Sequence, residues 1–388
     1  MKVPLLDLKL QYQTIKTEVE EAMLRVAESQ ILIFGPEVEK LEKSLAEYCG
    51  VQHAIGCSSG TDALLMALMA LDIKAGDEVI MPTYSFFATA GVVARLGATP
   101  VFVDSDPVTY NIEPEGIRSC INARTKCIIP VHLYGQSANM SEILEIADER
   151  KIPVIEDCAQ AIGAEFMDSR NVGSMGTMGC FSFYPTKNLG AFGEGGFVTT
   201  NDDVLAEKLK KMRNHGMAPK YHHHFVGGNF RLDALQAAVL NVKFPHLESW
   251  HEARRKNANL YTKYFIEFGL SDKEGITEFN DNNNVLLPKA VYKNSGTRNY
   301  HIYNQYCIRV QKRDEIRQFL TDNEIGSEIY YPVPFHRQEC FKYLKADDSQ
   351  FPVANELSEQ MIALPIFPEL TEDQIKFVVE KIAEYFKK

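Results

Sequence analysis

The stretch FSFYPTKNLGAFGEGG, residues 181–196, decides the fold class. A strand-like run at 179–184 ends in a loop that holds Lys187, and another strand-like run follows at 196–200. The glycines at 193–196 do not form G-x-G-x-x-G and precede a strand instead of a helix, which argues against a dinucleotide-binding or P-loop site. A lysine at a strand end among small and apolar residues can have a lowered pKa and act as an amine nucleophile, although most isolated lysines are solvated.

Outward from this stretch, short apolar runs alternate with helix-length segments. This alternation predicts an α/β fold with a mostly parallel sheet covered by helices on both faces. Continuously apolar strands fit that double burial. The predicted strands are 54–57, 78–82, 99–104, 127–132, 152–156, 179–184 and 196–200, and the predicted helices are 62–71, 87–96, 139–150 and 203–213.

After residue 231 the pattern changes to a long helical stretch that extends to about 265. The polar segment 272–300 is typical of a linker or an exposed loop. A strand at 302–310, a helix at 313–322 and an amphipathic helix at 371–387 predict a small α/β C-terminal domain. We therefore divide the chain into a large domain, 1–245, and a linking helix with a small domain, 246–388.

The composition excludes several classes of protein. The 388 residues are 45% hydrophobic and 24% charged, with a net charge of −11, which is typical of a globular chain. An acidic chain without a Lys/Arg block is a poor nucleic-acid binder, and no apolar run approaches the ~20 residues that span a bilayer. The N-terminus is too polar for a signal peptide, so we expect a cytoplasmic protein without membrane or nucleic-acid partners. The eight cysteines form no CxxC pair, which favours buried thiols over zinc or disulfides.

Three loops that follow predicted strands carry the candidate chemistry, because ligands of open α/β sheets bind beyond the carboxyl ends of the strands. The first loop, Ser58–Asp62, lies at the start of a helix. Its backbone N–H groups could bind a phosphate, or its hydroxyl residues could simply cap the helix. The carboxylate of Asp157 suits binding of a protonated ring nitrogen. The alternative is that it forms a structural salt bridge or a cap. Gln160 could reach the same ligand or face solvent. Together with Lys187, these are the groups that pyridoxal 5′-phosphate (PLP) needs.

Longer motifs carry a resemblance to a known family. The chain resembles the DegT/StrS-type sugar aminotransferases in SSGTDAL (58–64), PTYSFFATA (82–90), PVHLYGQ (130–136), EDCAQAIGA (156–164), FSFYPTKNLGAFGEGG (181–196), GGNFRLDALQAAVL (227–240) and YYPVPFH (330–336). That resemblance implies the fold-type-I architecture of aspartate aminotransferase, with a mostly parallel mixed seven-stranded sheet. It implies PLP as cofactor and pyridoxamine 5′-phosphate as its aminated form.

The resemblance also implies roles for individual residues. Lys187 would form the Schiff base with the cofactor aldehyde and later move the substrate proton. Asp157 would pair with the pyridine nitrogen, and Gln160 would lie near the ring hydroxyl. The phosphate would contact Gly60, Thr61 and Ser182. Phe86 matches the aromatic residue that stacks on the ring, with the adjacent Phe87 as the alternative.

Other residues match positions at a dimer interface and in the sugar site. Family members are homodimers with shared sites, and Asn229 matches the residue that reaches the partner's cofactor phosphate. Arg231 and His223 would face the sugar, as would Tyr331 and His336, unless the last two only form a turn built on neighbouring prolines. We expect no metal at His222–His224, because consecutive side chains rarely converge on one ion.

The loop YHHHFVGGNFRLD, 221–233, resembles members that aminate C3 of the sugar. The expected reaction transfers nitrogen from L-glutamate to a nucleotide-linked 3-keto sugar, UDP-2-acetamido-3-keto-hexose or dTDP-3-keto-6-deoxyhexose. The product would be a 3-amino sugar for cell-surface polysaccharide or lipopolysaccharide. The alternatives are a C4 aminotransferase acting on a 4-keto-6-deoxy sugar and a non-catalytic, PLP-binding regulatory relative. A C3 dehydratase of the same fold would carry His in place of Lys187.

Overall fold

The computed structural model describes residues 1–387. The helices are α1 Leu8–Ser29, α2 Pro36–Cys49, α3 Gly60–Ala70, α4 Ala88–Arg95, α5 Pro114–Cys120, α6 Met140–Arg150, α7 Asp203–Met212, α8 Ala234–Lys243, α9 Leu247–Glu267, α10 Arg313–Asp322, α11 Pro352–Gln360 and α12 Glu372–Phe386. The strands are β1 His53–Cys57, β2 Glu78–Pro82, β3 Thr99–Val103, β4 Thr125–Ile128, β5 Ile155–Asp157, β6 Met178–Ser182, β7 Gly196–Thr200, β8 Val285–Leu286, β9 Tyr306–Val310 and β10 Met361–Leu364.

Seven strands form the central sheet in the order β1-β7-β6-β5-β4-β2-β3. Its two hydrogen-bonded halves, β1-β7-β6-β5 and β4-β2-β3, are joined by parallel bridges from Ile128 to Val154 and from Val131 to Asp157. Only β7 runs against its neighbours. The predicted mostly parallel mixed sheet is therefore confirmed.

Helices cover both faces of this sheet, because side chains alternate between the faces along each strand. On one face, Cys180 and Val198 belong to a core with α3, α4 and α7. On the other, Phe181 and Phe197 pack with α2 and α8, and Ile128 belongs to a core with α5 and α6.

The C-terminal part is built on the antiparallel sheet β10-β9-β8. Its core joins α9, α10 and α12 through residues such as Phe265, Leu320 and Val379. The segment between α10 and α11 packs instead on the large sheet, where Phe335 and Phe341 contact Phe102. A short 3-10 turn at Phe244–His246 separates α8 from α9, and the domain boundary at 245/246 stays a prediction.

Several predicted elements differ from the structure. The N-terminal helices α1 and α2 have no counterpart among the predicted elements. The segment 272–300 is not simply an exposed linker, because the apolar pair of β8 is buried within it. The fourth strand ends at Ile128 instead of residue 132, and Pro130 has no N–H for a regular ladder. The strand predicted at 302–310 begins only at Tyr306.

Two expectations from composition can be compared with the described residues. Within residues 1–387, no helix is both long enough and apolar enough to cross a bilayer. All eight cysteines are free thiols, and six of them are buried, as expected from their apolar surroundings.

A stack of three phenylalanine rings supports the strand pair that flanks the Lys187 loop. Phe197 is fully buried, and its ring centroid lies 4.2 Å from that of Phe181 and 5.2 Å from that of Phe183. We expect Phe197→Ala to lower the free energy of unfolding by about 3–5 kcal/mol, because it removes buried area and leaves a cavity. Urea denaturation of the cofactor-free protein, followed by circular dichroism, measures this loss. Val204→Ala is the control, since Val204 is 77% exposed; equal losses in the two variants would contradict the assignment.

Candidate active site

Three strand ends lie side by side at the carboxyl edge of the sheet. Gly196 of β7 pairs with Cys57 at the end of β1 on one side and with Ser182 at the end of β6 on the other. Asp157 ends β5 and pairs with Cys180 of β6. The loops that follow β1, β5 and β6 therefore leave the sheet next to one another, where open α/β sheets bind their ligands.

The N-terminus of α3 forms an anion cradle against the end of β6. The Ser59 hydroxyl accepts a hydrogen bond from the Asp62 N–H at 3.0 Å, which leaves the N–H groups of Gly60 and Thr61 for an anion. A Cβ atom at residue 60 would lie 2.7 Å from the Cβ of Ser182, so glycine is required for this close approach. The structure thus brings together the three residues that the family resemblance implies for phosphate binding, and their contact with a phosphate stays a prediction.

Asp157 is a buried carboxylate, 5% exposed. Its Oδ2 accepts a hydrogen bond from the Thr89 hydroxyl at 2.8 Å, and its Oδ1 accepts one from the Ala159 N–H at 3.2 Å. Burial raises the pKa of this carboxyl above its ordinary value, while the two hydrogen bonds and the positive charge of Lys187 oppose the rise. The environment therefore suits a carboxylate that meets a further cation.

Lys187 lies half-buried in the loop after β6. Burial lowers the pKa of its amine to about 8, and the negative charge of Asp157 opposes this change. The unprotonated amine is the nucleophilic form. Lys187 therefore has more of that form near neutral pH than a solvated lysine has.

The backbone around Lys187 is held at several points. The Asn188 side-chain amide donates to the carbonyl of Ile302 at 3.1 Å. The buried ammonium group of Lys243 donates to the carbonyl of Gly190 at 2.5 Å. These contacts restrict the movement of the loop, so the backbone at Lys187 is held in one position.

Gln160 is buried and lies between two tyrosines, not in solvent. Its Oε1 accepts from the Tyr134 backbone N–H at 2.7 Å, and its Nε2 donates to the Tyr331 hydroxyl at 2.9 Å. The Tyr331 N–H in turn donates to the Tyr84 hydroxyl at 2.8 Å. The C-terminal segment therefore reaches the predicted cofactor site through Tyr331. This segment is thus more than a turn built on the two prolines near Tyr331.

The two adjacent phenylalanines have different surroundings. Phe87 packs against Phe341, with ring centroids 5.7 Å apart and planes at 28°. Phe86 is 57% exposed and lies 6.0 Å from the ring of Tyr331. Phe86 is therefore the exposed ring beside Tyr331, and its stacking on the cofactor stays a prediction.

Asn229 and Arg231 line a cavity of about 290 Å³ with Ser58 and Glu194. Ser58 is tied to this segment because its N–H donates to the carbonyl of Phe230 at 3.1 Å. The cavity thus adjoins the start of the anion cradle within one chain. The contact of Asn229 with a second subunit stays a prediction.

The remaining predicted substrate residues are two histidines in different settings. His223 is exposed, and its Nδ1 donates to the carbonyl of His215 at 2.9 Å. His336 is buried: its Nδ1 accepts from the Thr83 hydroxyl at 2.7 Å, and its Nε2 lies 3.1 Å from Asp348 and 3.0 Å from Asn355. Both ring nitrogens of His336 have protein partners, so a direct ligand contact would have to replace one of them.

One buried group has metal-ligand chemistry: His132, Glu156 and Cys158 place their ligand atoms within 4.8 Å of one another. His132 Nε2 donates to Glu156 at 2.9 Å, and its Nδ1 accepts from the Ala138 N–H at 3.0 Å. The Glu156 carboxylate also accepts three backbone N–H groups, from residues 173, 175 and 176. The ligand atoms of His132 and Glu156 are thus already used in hydrogen bonds, and the Cys158 thiol donates to the Glu156 carbonyl at 3.6 Å, so the group forms a structural network next to Asp157.

Sequence reasoning missed Thr89, Tyr84 and Tyr134. Thr89 and Tyr84 lie within the stretch PTYSFFATA, and Tyr134 lies within PVHLYGQ, both of which carry the family resemblance. Thr89 lies in the first turn of the predicted helix 87–96, and a hydroxyl at that place is only a weak signal, because it is also typical of ordinary helix capping. The tyrosine contacts depend on the position of residue 330, which no local pattern specifies.

The residues present fit PLP in charge and shape. Gly60 lies so close to Ser182 that a side chain could not be accommodated there, and this contact holds the start of α3, with its N–H groups, next to the Ser182 hydroxyl. Asp157 offers a buried negative charge, and Lys187 offers an amine that interacts with it. Phe86 adds an exposed aromatic face.

Comparisons with known proteins identify the family of this chain. The DegT/DnrJ/EryC1/StrS aminotransferase family matches residues 13–383. A pleiotropic regulatory protein of Geobacillus stearothermophilus is 47% identical over 387 residues, which cover 100% of this chain and 99% of that one. A UDP-N-acetyl-3-dehydro-α-D-glucosamine 3-aminotransferase of Acidithiobacillus ferrooxidans is 42% identical over 373 residues, which cover 96% and 95% of the two chains.

A solved structure is similar over the whole length. DesV of S. venezuelae, crystallised in complex with a ketimine intermediate, superposes with a TM-score of 0.91 at 36% identity and covers 100% of this chain and 99% of its own. The predicted fold-type-I architecture and PLP dependence are thereby confirmed. From the family match and these relatives, the chain belongs to the DegT/DnrJ/EryC1/StrS aminotransferase family of PLP-dependent enzymes.

Proposed function

We propose that this chain transfers the amino group of L-glutamate to C3 of a nucleotide-linked 3-keto sugar. The sugar is UDP-2-acetamido-3-keto-hexose or dTDP-3-keto-6-deoxyhexose, and the 3-amino product serves cell-surface polysaccharide or lipopolysaccharide. The observation that carries the proposal is that Asp157, the Lys187 loop and the Gly60–Ser182 cradle lie together beyond the carboxyl ends of β5, β6 and β1, with β7 pairing with both β6 and β1. The cytoplasmic location stays a prediction.

Each residue of the candidate active site has its own role in this reaction. PLP supplies an aldehyde and an electron-withdrawing ring when it is bound. Lys187 supplies the amine that holds the cofactor and is the base that moves a proton at the substrate carbon, a task suited to its pKa of about 8. Asp157 holds a proton on the ring nitrogen. The N–H groups of Gly60 and Thr61, together with Ser182, bind the phosphate, and Phe86 stacks on the ring.

Gln160 and Tyr331 border the same space. Burial raises the pKa of Tyr331 well above its ordinary value, so the phenol keeps its proton. Its hydroxyl accepts from Gln160 and can still donate its own proton to a cofactor or substrate oxygen. Gln160 has a second amide hydrogen for the ring hydroxyl.

The 42% identical relative supports the choice of C3, since its name states 3-amination of a UDP-linked sugar. The exposed loop of residues 221–224, with His223, offers donors that can orient a sugar. Amination at C4 would need a different sugar orientation above the same amine. The 47% identical regulatory protein raises the non-catalytic, PLP-binding alternative. Such a protein would use the Lys187 amine to hold the cofactor, but it would need no base for a proton at a substrate carbon, the task to which a pKa of about 8 is suited.

The first test concerns the lysine. Borohydride reduction of the yellow holoenzyme, followed by peptide mass spectrometry, is expected to place a pyridoxyl group on Lys187. Lys243→Gln is a matched control, because Lys243 also has a pKa lowered to about 8 by burial yet donates to a backbone carbonyl. Labelling of Lys243, or labelling that survives Lys187→Ala, would refute the assignment.

The second test concerns the homodimer with shared sites. A Lys187→Ala chain is mixed with an Asn229→Ala chain, or with Asn229→Asp if the alanine variant is active alone. If Asn229 serves the partner's site, each heterodimer has one intact site and one site with both lesions. Statistical exchange within a two-fold dimer then restores about a quarter of wild-type activity. Persistent inactivity despite proven subunit exchange would show that each chain completes its own site.

The third test concerns regiochemistry. The enzyme is offered matched 3-keto and 4-keto nucleotide sugars with L-glutamate, and the new amine is located by NMR. We expect nitrogen at C3, because proton transfer requires the carbonyl carbon within hydrogen-bond reach of Lys187. Product aminated only at C4 would overturn the choice of sugar carbon, and no product from any sugar would support the regulatory alternative.

A further inference from the structure

Thr89 contacts the carboxylate of Asp157 from the first turn of α4. Its side chain is fully buried, and its hydroxyl donates to Asp157 Oδ2 at 2.8 Å. The Thr89 N–H donates to the Phe86 carbonyl at 3.2 Å. Phe86 lies just before α4, whose N-cap is Phe87, so this bond ties the segment with the exposed ring to the residue whose hydroxyl reaches Asp157.

The geometry restricts what this hydroxyl can do. A threonine hydroxyl has a single proton, and here that proton is given to Asp157. A carboxylate has about four lone-pair positions, of which Thr89 and the Ala159 N–H use two. The carboxylate is thereby fixed by a donor at each oxygen, and about two lone-pair positions are left for a cationic ligand. Hydrogen bonds to the charged form also favour ionisation of a buried acid.

We propose that Thr89 is a positioning residue: through its hydrogen bond it fixes the orientation and the ionised state of Asp157, and thereby acts on the cofactor's ring nitrogen without touching it. The inference rests on the proposed pairing of Asp157 with that nitrogen. It predicts an energetic coupling between two side chains, of which only one meets the cofactor.

The test is a double-mutant cycle read by PLP binding. Apoenzyme of the full chain is titrated with PLP, and the apparent dissociation constant is taken from the absorbance of the bound cofactor. Loss of a hydrogen bond to a charged group is expected to make Thr89→Val bind PLP about 10- to 100-fold more weakly. Thr89→Ser, which keeps the hydroxyl, is expected to stay within about threefold of wild type. In an Asp157→Ala background, Thr89→Val is expected to have no further effect.

The controls separate positioning from packing. Thr199 is also fully buried and donates to the Gly173 carbonyl at 2.5 Å, so Thr199→Val should lower the melting temperature but leave PLP affinity unchanged. If Thr89→Val does not fold, Thr89→Ala and Thr89→Ser replace it, since they differ only in the hydroxyl.

Each outcome decides a separate question. Equal effects of Thr89→Val with and without Asp157 would overturn the positioning role and leave a packing role. Weaker PLP binding in Asp157→Ala but not in Thr89→Val would also overturn it, while the pairing of Asp157 with the ring nitrogen survives. An unchanged affinity in Asp157→Ala would refute the proposed pairing itself.

Discussion

Asp157 carries its carboxylate at the end of a buried strand, where water does not solvate it. Fixed protein dipoles must replace the water, and this requirement constrains the elements around Asp157. Burial without compensation would neutralise it. The compensation comes from two elements, the first turn of α4 through Thr89 and the loop after β5 through Ala159. Both must be in place before the carboxylate can serve a cationic ligand. The positions of α4 and of the β5 loop are therefore tied to the chemistry as well as to the core.

The tyrosine contacts extend this dependence to the C-terminal part of the chain. The Tyr84 hydroxyl, just beyond β2, donates to the Tyr330 carbonyl at 2.7 Å and accepts from the Tyr331 N–H. Tyr134 also donates to the Tyr330 carbonyl. Tyr331 in turn accepts a hydrogen bond from Gln160. A small shift of the C-terminal segment would therefore displace Tyr331 and Gln160 in the candidate active site.

Local patterns predict the sheet and the strand-end chemistry well, for physical reasons. Buried strands require apolar runs, and the charged residues that end or follow them, such as Asp157 and Lys187, stand out. Contacts between distant segments leave no such pattern: the Thr89–Asp157 bond spans 68 positions. The helices α1 and α2 are not predicted because polar residues dominate their sequences, while their buried faces are narrow. The strand β8 is not predicted because it is a single apolar pair within a polar segment.

The antiparallel strand β7 has a consequence for how this sequence can vary in length. Because β6 and β7 are antiparallel neighbours, the Lys187 loop is a closed hairpin whose base is the Ser182–Gly196 pair. A side chain at position 196 would clash with the backbone of Ser59. The pairing of β6 with β7 therefore cannot shift its register to accommodate an added residue. Any insertion or deletion must change the loop that presents the amine. Relatives that keep this chemistry should conserve the loop's residue count strictly, whereas the exposed turn near 281 is free to gain or lose residues.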